Sequence, residues 1–124
     1  MGGNNGIEVK RVYDDPETSD GARVLVDRLW PRGVSKDDAE LEEWLKELAP
    51  TDELRQWFNH ETEKWDEFIK RYHRELETRD QARKELKKLR ELMKDNTVTL
   101  LYAAKDTAHN NAVALRDYLI SGNG

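Results

Sequence analysis

Apolar residues along the chain follow two periods, and the switches between them outline the elements. In residues 7–13, IEVKRVY, Ile7 and Val9 alternate with Glu8 and Lys10 before Val12 and Tyr13, the rhythm of a strand with one wetter face. This segment reads as an edge or near-edge strand. Residues 14–21, DDPETSDG, are dense in turn formers and carry Pro16, so they read as a loop. Val24, Leu25 and Val26 then make a continuous apolar run, followed by Leu29 and Trp30 and stopped by Pro31 and Gly33, which favours a central strand.

From Ser35 onward the period lengthens. Ser35 with Asp38 three residues later resembles a capping box, and Leu41, Trp44, Leu45 and Leu48 follow at i, i+3, i+4 and i+7, predicting a helix that ends before Pro50. Thr51 is the N-cap expected for a short second helix with Leu54, Trp57 and Phe58 on its apolar face, ending near Asn59 or His60. A third stripe comprises Trp65, Phe68, Ile69, Tyr72 and Leu76, and a fourth Ala82, Leu86, Leu89 and Met93 in a field of charged residues. Residues 97–104, TVTLLYAA, carry no charge and return to strand character. The last helix is expected from about Ala108 to Ile120, with Ala112, Val113, Leu119 and Ile120 inward and Gly122 just past its end.

Strand, strand, several helices, strand and helix imply parallel strands joined by right-handed helical crossovers. The fold class expected is α/β: a small, mainly parallel sheet of three or four strands covered by about five helices. One domain is expected over residues 7–121, behind a disordered segment, 1–6, of glycine and asparagine. Ligands of open parallel sheets bind beyond the carboxyl ends of the strands, and two segments lie there: residues 28–33 and 105–111.

Composition narrows the partners. A charged fraction of 38% and a net charge of -5 describe a solvated acidic surface, which argues against broad binding of duplex DNA or anionic membrane but leaves room for a local basic pocket. The absence of cysteine excludes disulfides, thiolate zinc sites and cysteine nucleophiles, and it fits a reducing compartment. No stretch approaches the roughly 20 apolar residues that span a bilayer, and the first residues lack the order of a signal peptide. A cytoplasmic location without membrane attachment is expected; the oligomeric state stays open.

The stretch VDRLWPRG, residues 26–33, ends an apolar strand in positive charge. Arg28 and Arg32 read either as a pair of anion ligands, since guanidinium groups hold phosphate or carboxylate in a bidentate fork, or as structural partners of Asp27 or of a helix end. Trp30 between them reads as a pocket wall or as core. Asp27 is either a general base or a buried carboxylate paired with Arg28, Arg32 or Lys105. The second segment holds Lys105, Asp106, His109 and Asn110 at the start of the last helix, where free backbone N–H groups favour an anion. The plainer reading there is that Asp106 or Thr107 caps the helix and His109 bonds a carbonyl. His109 is the expected proton-transfer group, with Asp27 or Asp106 orienting it.

The segments VDRLWPRG and YAAKDTAHNNAV, with KELAP and ELRQWF between them, resemble the short, YeaO-like branch of the domain-of-unknown-function 488 family. Longer members carry motifs of the form VDVRSFPRS and EKDPEHCHR. By that comparison Asp27 and Arg32 keep the acid and arginine of the first motif, and Lys105, Asp106 and His109 keep KDxxH of the second. Asn110 stands where those relatives carry a cysteine and Ala112 where they carry an arginine, so thiolate chemistry does not carry over. The resemblance implies no particular activity.

His60, His73 and His109 show no metal-binding spacing, so no metal is expected. Phosphate-loop, dinucleotide and serine-hydrolase motifs are missing, and no cofactor is expected. Trp44, Trp57 and Trp65 fall on helical stripes and read as core. The leading expectation is a small anionic ligand held by Arg28, Arg32 and Lys105 near Trp30 and Asn110, with acid–base chemistry by His109, Asp27 and Asp106 as an open addition. The alternatives are a nucleic-acid or regulatory module that stacks a base on Trp30, and a protein-interaction domain using the charged hairpin from Trp65 to Met93.

Overall fold

The computed structural model describes residues 6–121. Four parallel strands, β1 (Ile7–Arg11), β2 (Ala22–Leu25), β3 (Glu43–Trp44) and β4 (Val98–Tyr102), form one sheet in the order β1-β4-β2-β3. The two strands with the most continuous apolar runs, β2 and β4, are its fully buried centre, and β1 is an edge. Five helices accompany it: α1 (Lys36–Ala39), α2 (Asp52–Phe58), α3 (Trp65–Thr78), α4 (Asp80–Asp95) and α5 (Asn111–Ile120). The chain is therefore an α/β domain with a small parallel sheet. Gly122 and residues 1–5 lie outside the described residues.

The sheet has unequal faces. One packs against a large core in which Phe68, Tyr72 and Leu76 of α3 meet Leu86 and Leu89 of α4 and Leu115 of α5. The other carries a smaller apolar cluster of Val12, Leu25 and Leu101, roofed by Trp30, Val34, Leu41 and Trp44.

That second layer explains the first correction. The long helix expected over Leu41, Trp44, Leu45 and Leu48 is a single turn, α1, capped by the Ser35 hydroxyl and ended by Glu40 in the left-handed region at φ 49°. Beyond it the chain lies along β2, whose open edge accepts Glu42 N–H at Arg23 O and Leu45 N–H at Leu25 O. A helix would put all four apolar residues on one side. The observed segment, β3 followed by a 3-10 turn at Lys46–Leu48, instead sends Leu41 and Trp44 to the small layer and Leu45 and Leu48 to the large core. Satisfying the sheet edge while feeding both layers outweighs the local 3.6 period.

A second correction concerns α5. It begins at Asn111 behind an Asn110 N-cap, and its buried residues are Ala112, Ala114, Leu115 and Tyr118, whereas Ile120 is 61% exposed. Val113 and Leu119 are only partly buried. Apolar residues surround this helix on most sides, so periodicity alone could not choose its inward face. Elsewhere the expected caps hold: Thr51 Oγ1 accepts from Leu54 N–H, and α2 ends at a left-handed Asn59.

Candidate functional site

A crevice of about 380 Å³ opens beyond the carboxyl ends of the strands, walled by the segments following β1, β2 and β4 and by the short helix α2. Its apolar surfaces come from Leu29, Pro31, Pro50, Phe58 and Phe68. The strand ends deliver their following residues to one place, as parallel topology requires.

Six residues singled out from the sequence line this crevice: Asp27, Arg28, Trp30, Arg32, His109 and Asn110. Asp27 is half-buried. Its Oδ2 accepts the Ala103 N–H at 2.9 Å, and the Asn111 side chain also bonds the carboxyl. No arginine or lysine forms an ion pair with it among the described residues, so the expected structural pairing with Arg28, Arg32 or Lys105 is corrected. Burial pushes the Asp27 carboxyl above the ordinary carboxylate range; the Ala103 N–H, the Asn111 side chain and the nearby charge of Arg55 only partly offset this.

The two arginines separate in role. Arg28 Nη1 lies 3.4 Å from Glu47 Oε1, and Nη2 donates long bonds to Ala49 O and Pro50 O, while the buried Nε has no acceptor. Glu47 is shared with Arg79 at 2.9 Å. Arg32 is exposed, and its guanidinium makes no hydrogen bond or ion pair among the described residues; only its backbone is tied, accepting from Tyr13 OH at 3.1 Å. Trp30 serves both readings offered for it. It lines the crevice, yet it also packs edge-on against Trp44 at 5.3 Å and donates Nε1–H to Val34 O.

The loop from Ala103 to Asn110 is held by its own side chains. Asp106 Oδ1 accepts the N–H groups of Ala108 and His109, which hold its carboxyl below the ordinary range together with His109. Its carboxylate faces His109 Nδ1 at 3.1 Å, an arrangement suited to the Nδ1–H tautomer, with Nε2 left as acceptor. The expected cap is corrected: Asn110, not Asp106 or Thr107, caps α5 by accepting Val113 N–H. Asn110 also donates to Asp106 O and is buried, so its polar atoms are engaged within the loop. Lys105 is exposed and does not line the crevice. Asp106 reaches it only through His109.

Four polar lining residues escaped the sequence reading: Tyr13, Arg55, His60 and Asn111. Tyr13 lies just past the end of β1, so the strand-end rule could have found it. Arg55 comes from α2 and pairs at 3.1 Å with the exposed Asp52. His60, at φ 57°, is the second of two consecutive left-handed residues, after Asn59, a turn that sequence periodicity does not announce. It is a second histidine in the crevice, so His109 is not alone there.

At the opposite, amino end of the sheet lies a different charge cluster. Asp20, buried, meets Arg23 Nη1 at 2.6 Å and Lys10 Nζ at 3.1 Å, and accepts Glu17 N–H at 3.0 Å. Burial alone would raise the Asp20 carboxyl, but the Glu17 N–H, Lys10 and Arg23 outweigh it and hold the group below its usual range. Gly21 makes this turn possible: its φ is 65°, and a Cβ there would sit 2.1 Å from Thr97 O. Among the described residues no cluster of His, Asp or Glu could hold a metal ion, and no helix is long and apolar enough to cross a membrane.

The family model described as the inactive DUF488-N3 subclade matches residues 6–122. The chain is 48% identical over 115 residues to the uncharacterized protein YeaO of Escherichia coli (strain K12), covering 93% of this chain and 97% of that one. It is 43% identical over 113 residues to an uncharacterized protein of Mycobacterium tuberculosis (strain ATCC 25618 / H37Rv), covering 91% and 92% respectively. No solved structure matches it. The chain belongs to the inactive DUF488-N3 subclade and is YeaO-like.

Proposed function

We propose that this member of the inactive DUF488-N3 subclade binds a small anionic ligand, phosphate- or carboxylate-bearing, in the crevice between the 26–33 and 103–111 loops. The observation that carries this reading is Arg32, a guanidinium on the crevice wall with no partner among the described residues. Arg28, whose buried Nε has no acceptor among the described residues, lines the same crevice, and Arg55, paired with the exposed Asp52, adds a third cation. Charge-assisted hydrogen bonds to a guanidinium contribute roughly 1.5 to 3 kcal/mol each, and an anion is the partner that Arg32 would gain. The description of the subclade as inactive favours retention of a ligand over its turnover.

Thermal unfolding against phosphate, sulfate and a panel of phosphorylated and carboxylated metabolites tests this. A ligand at a hundred times its dissociation constant adds about 2.7 kcal/mol, and Arg32→Ala is expected to remove the effect. No stabilisation by any anion, or an undiminished one in Arg32→Ala, overturns the proposal. A proton-transfer role is the second reading, favoured by the Asp106 contact to His109 Nδ1. It predicts that His109→Ala keeps ligand affinity but loses any conversion of the ligand seen by mass.

A further inference from the structure

We infer that Asp27 is the specificity residue of this crevice, selecting anionic ligands whose apolar body also carries a hydroxyl or amino hydrogen-bond donor. The inference rests on the anion-binding reading and adds the ligand's chemical class. Asp27 lines the crevice, half-buried, and forms no ion pair among the described residues. A carboxylate offers about four acceptor positions, and among the described residues the Ala103 N–H and the Asn111 side chain are the donors to it. Charges withdrawn from water are normally paired and hydrogen-bonded, and this half-buried carboxylate lines the crevice with acceptor positions that a ligand's donor would fill.

The surroundings say what kind of molecule would supply them. Pro31, Pro50, Phe58 and Phe68 offer apolar contact, and Arg32 and Arg55 bring positive charge to the same crevice. A ligand seated there would meet cations with its anionic group and Asp27 with a donor. An anion presenting only lone pairs to Asp27 would be repelled, so the carboxylate discriminates by penalty as well as by attraction. The elevated proton affinity of the Asp27 carboxyl, caused mainly by burial, agrees with a group incompletely solvated by protein and water.

Binding of benzenesulfonate, its three hydroxy isomers and its methoxy analogues, followed by ligand-observed NMR at pH 7.5, tests this. At least one hydroxy isomer is expected to bind about tenfold tighter than benzenesulfonate, and no methoxy analogue tighter than the parent. Asp27→Asn keeps an acceptor for Ala103 N–H and is expected to bind the parent while losing the hydroxyl preference. Equal binding of all the sulfonates, or a preference that persists in Asp27→Asn, overturns the inference and leaves the anion reading standing. If no sulfonate binds, the anion reading falls and takes this inference with it. Should Asp27→Asn fail to fold, the hydroxy and methoxy series on the native chain decides.

Discussion

Asp20 and Asp27 stand at opposite ends of one central strand, and the protein treats them in opposite ways. Asp20 is closed in by Arg23, Lys10 and a backbone donor, and its proton affinity is lowered. Asp27, half-buried, accepts hydrogen bonds only from uncharged donors, and burial raises its proton affinity. The two share a residue type and flank the same strand, and they differ in whether a cation stands within hydrogen-bonding reach to offset the loss of water. At the amino end the carboxylate is paired with cations of the chain itself, whereas the carboxyl end holds a carboxylate without an ion pair and a guanidinium without a partner among the described residues.

The sharpest way to break this comparison is the same substitution at both sites. Asp20→Asn leaves Arg23 buried beside a neutral amide, with its Nη2 already unpaired, and is expected to destabilise the fold by about 3 kcal/mol, on the order of 10 °C in Tm. Urea unfolding at neutral pH measures it. Asp27→Asn removes a poorly compensated charge while keeping the Ala103 bond, and is expected to raise stability at neutral pH by about 1 kcal/mol. Opposite signs sustain the contrast; a loss at both sites would end it.

Acid titration of stability sharpens it further. The folded-state proton affinity of Asp20 lies below the ordinary value of 3.8, so its contribution is full above that pH and lost as pH falls through the folded value. Asp27 lies above 3.8 when folded, so the native chain binds more protons there than the unfolded one, and stability falls as pH rises through its window. The advantage of Asp27→Asn over the native chain is therefore expected to shrink as pH drops toward 3.8, while the deficit of Asp20→Asn closes only below that. Chemical denaturation of the three proteins from pH 3 to 7 resolves the two windows. The smallest effect belongs to Arg32→Ala, expected within about 0.5 kcal/mol of native stability by the same assay, because this exposed guanidinium has no partner to lose.

How much of this was legible in the sequence follows the same division. Strands β2 and β4 and helices α3 and α4 could be read because their apolar runs or stripes are long, and α2 because Thr51 and Asn59 bound it locally. The Leu41 to Leu48 segment misled because four apolar residues that serve two sheet faces mimic one helical stripe. Arg23 was invisible as a structural residue, since its partner Asp20 sits across a glycine turn and its Nε reaches Ala39 O sixteen residues away. The strand-end rule located the crevice from VDRLWPRG and the loop before α5, yet it could not assign Arg28 to Glu47 or bring in Arg55 and His60. Those placements depend on how α2 and its left-handed exit dock, which no local pattern encodes.

Asn110 is where the longer relatives of the wider family bear cysteine, and here it ties the α5 cap to the Asp106 turn. The Asp106 and Asn110 side chains together bond four groups of the backbone around this turn, which holds its form from within. That has a kinetic meaning. Entry into the crevice is expected to proceed at the ordinary rate of an oriented encounter, with no slow ordering step, and competing molecules would then differ chiefly in how long they stay.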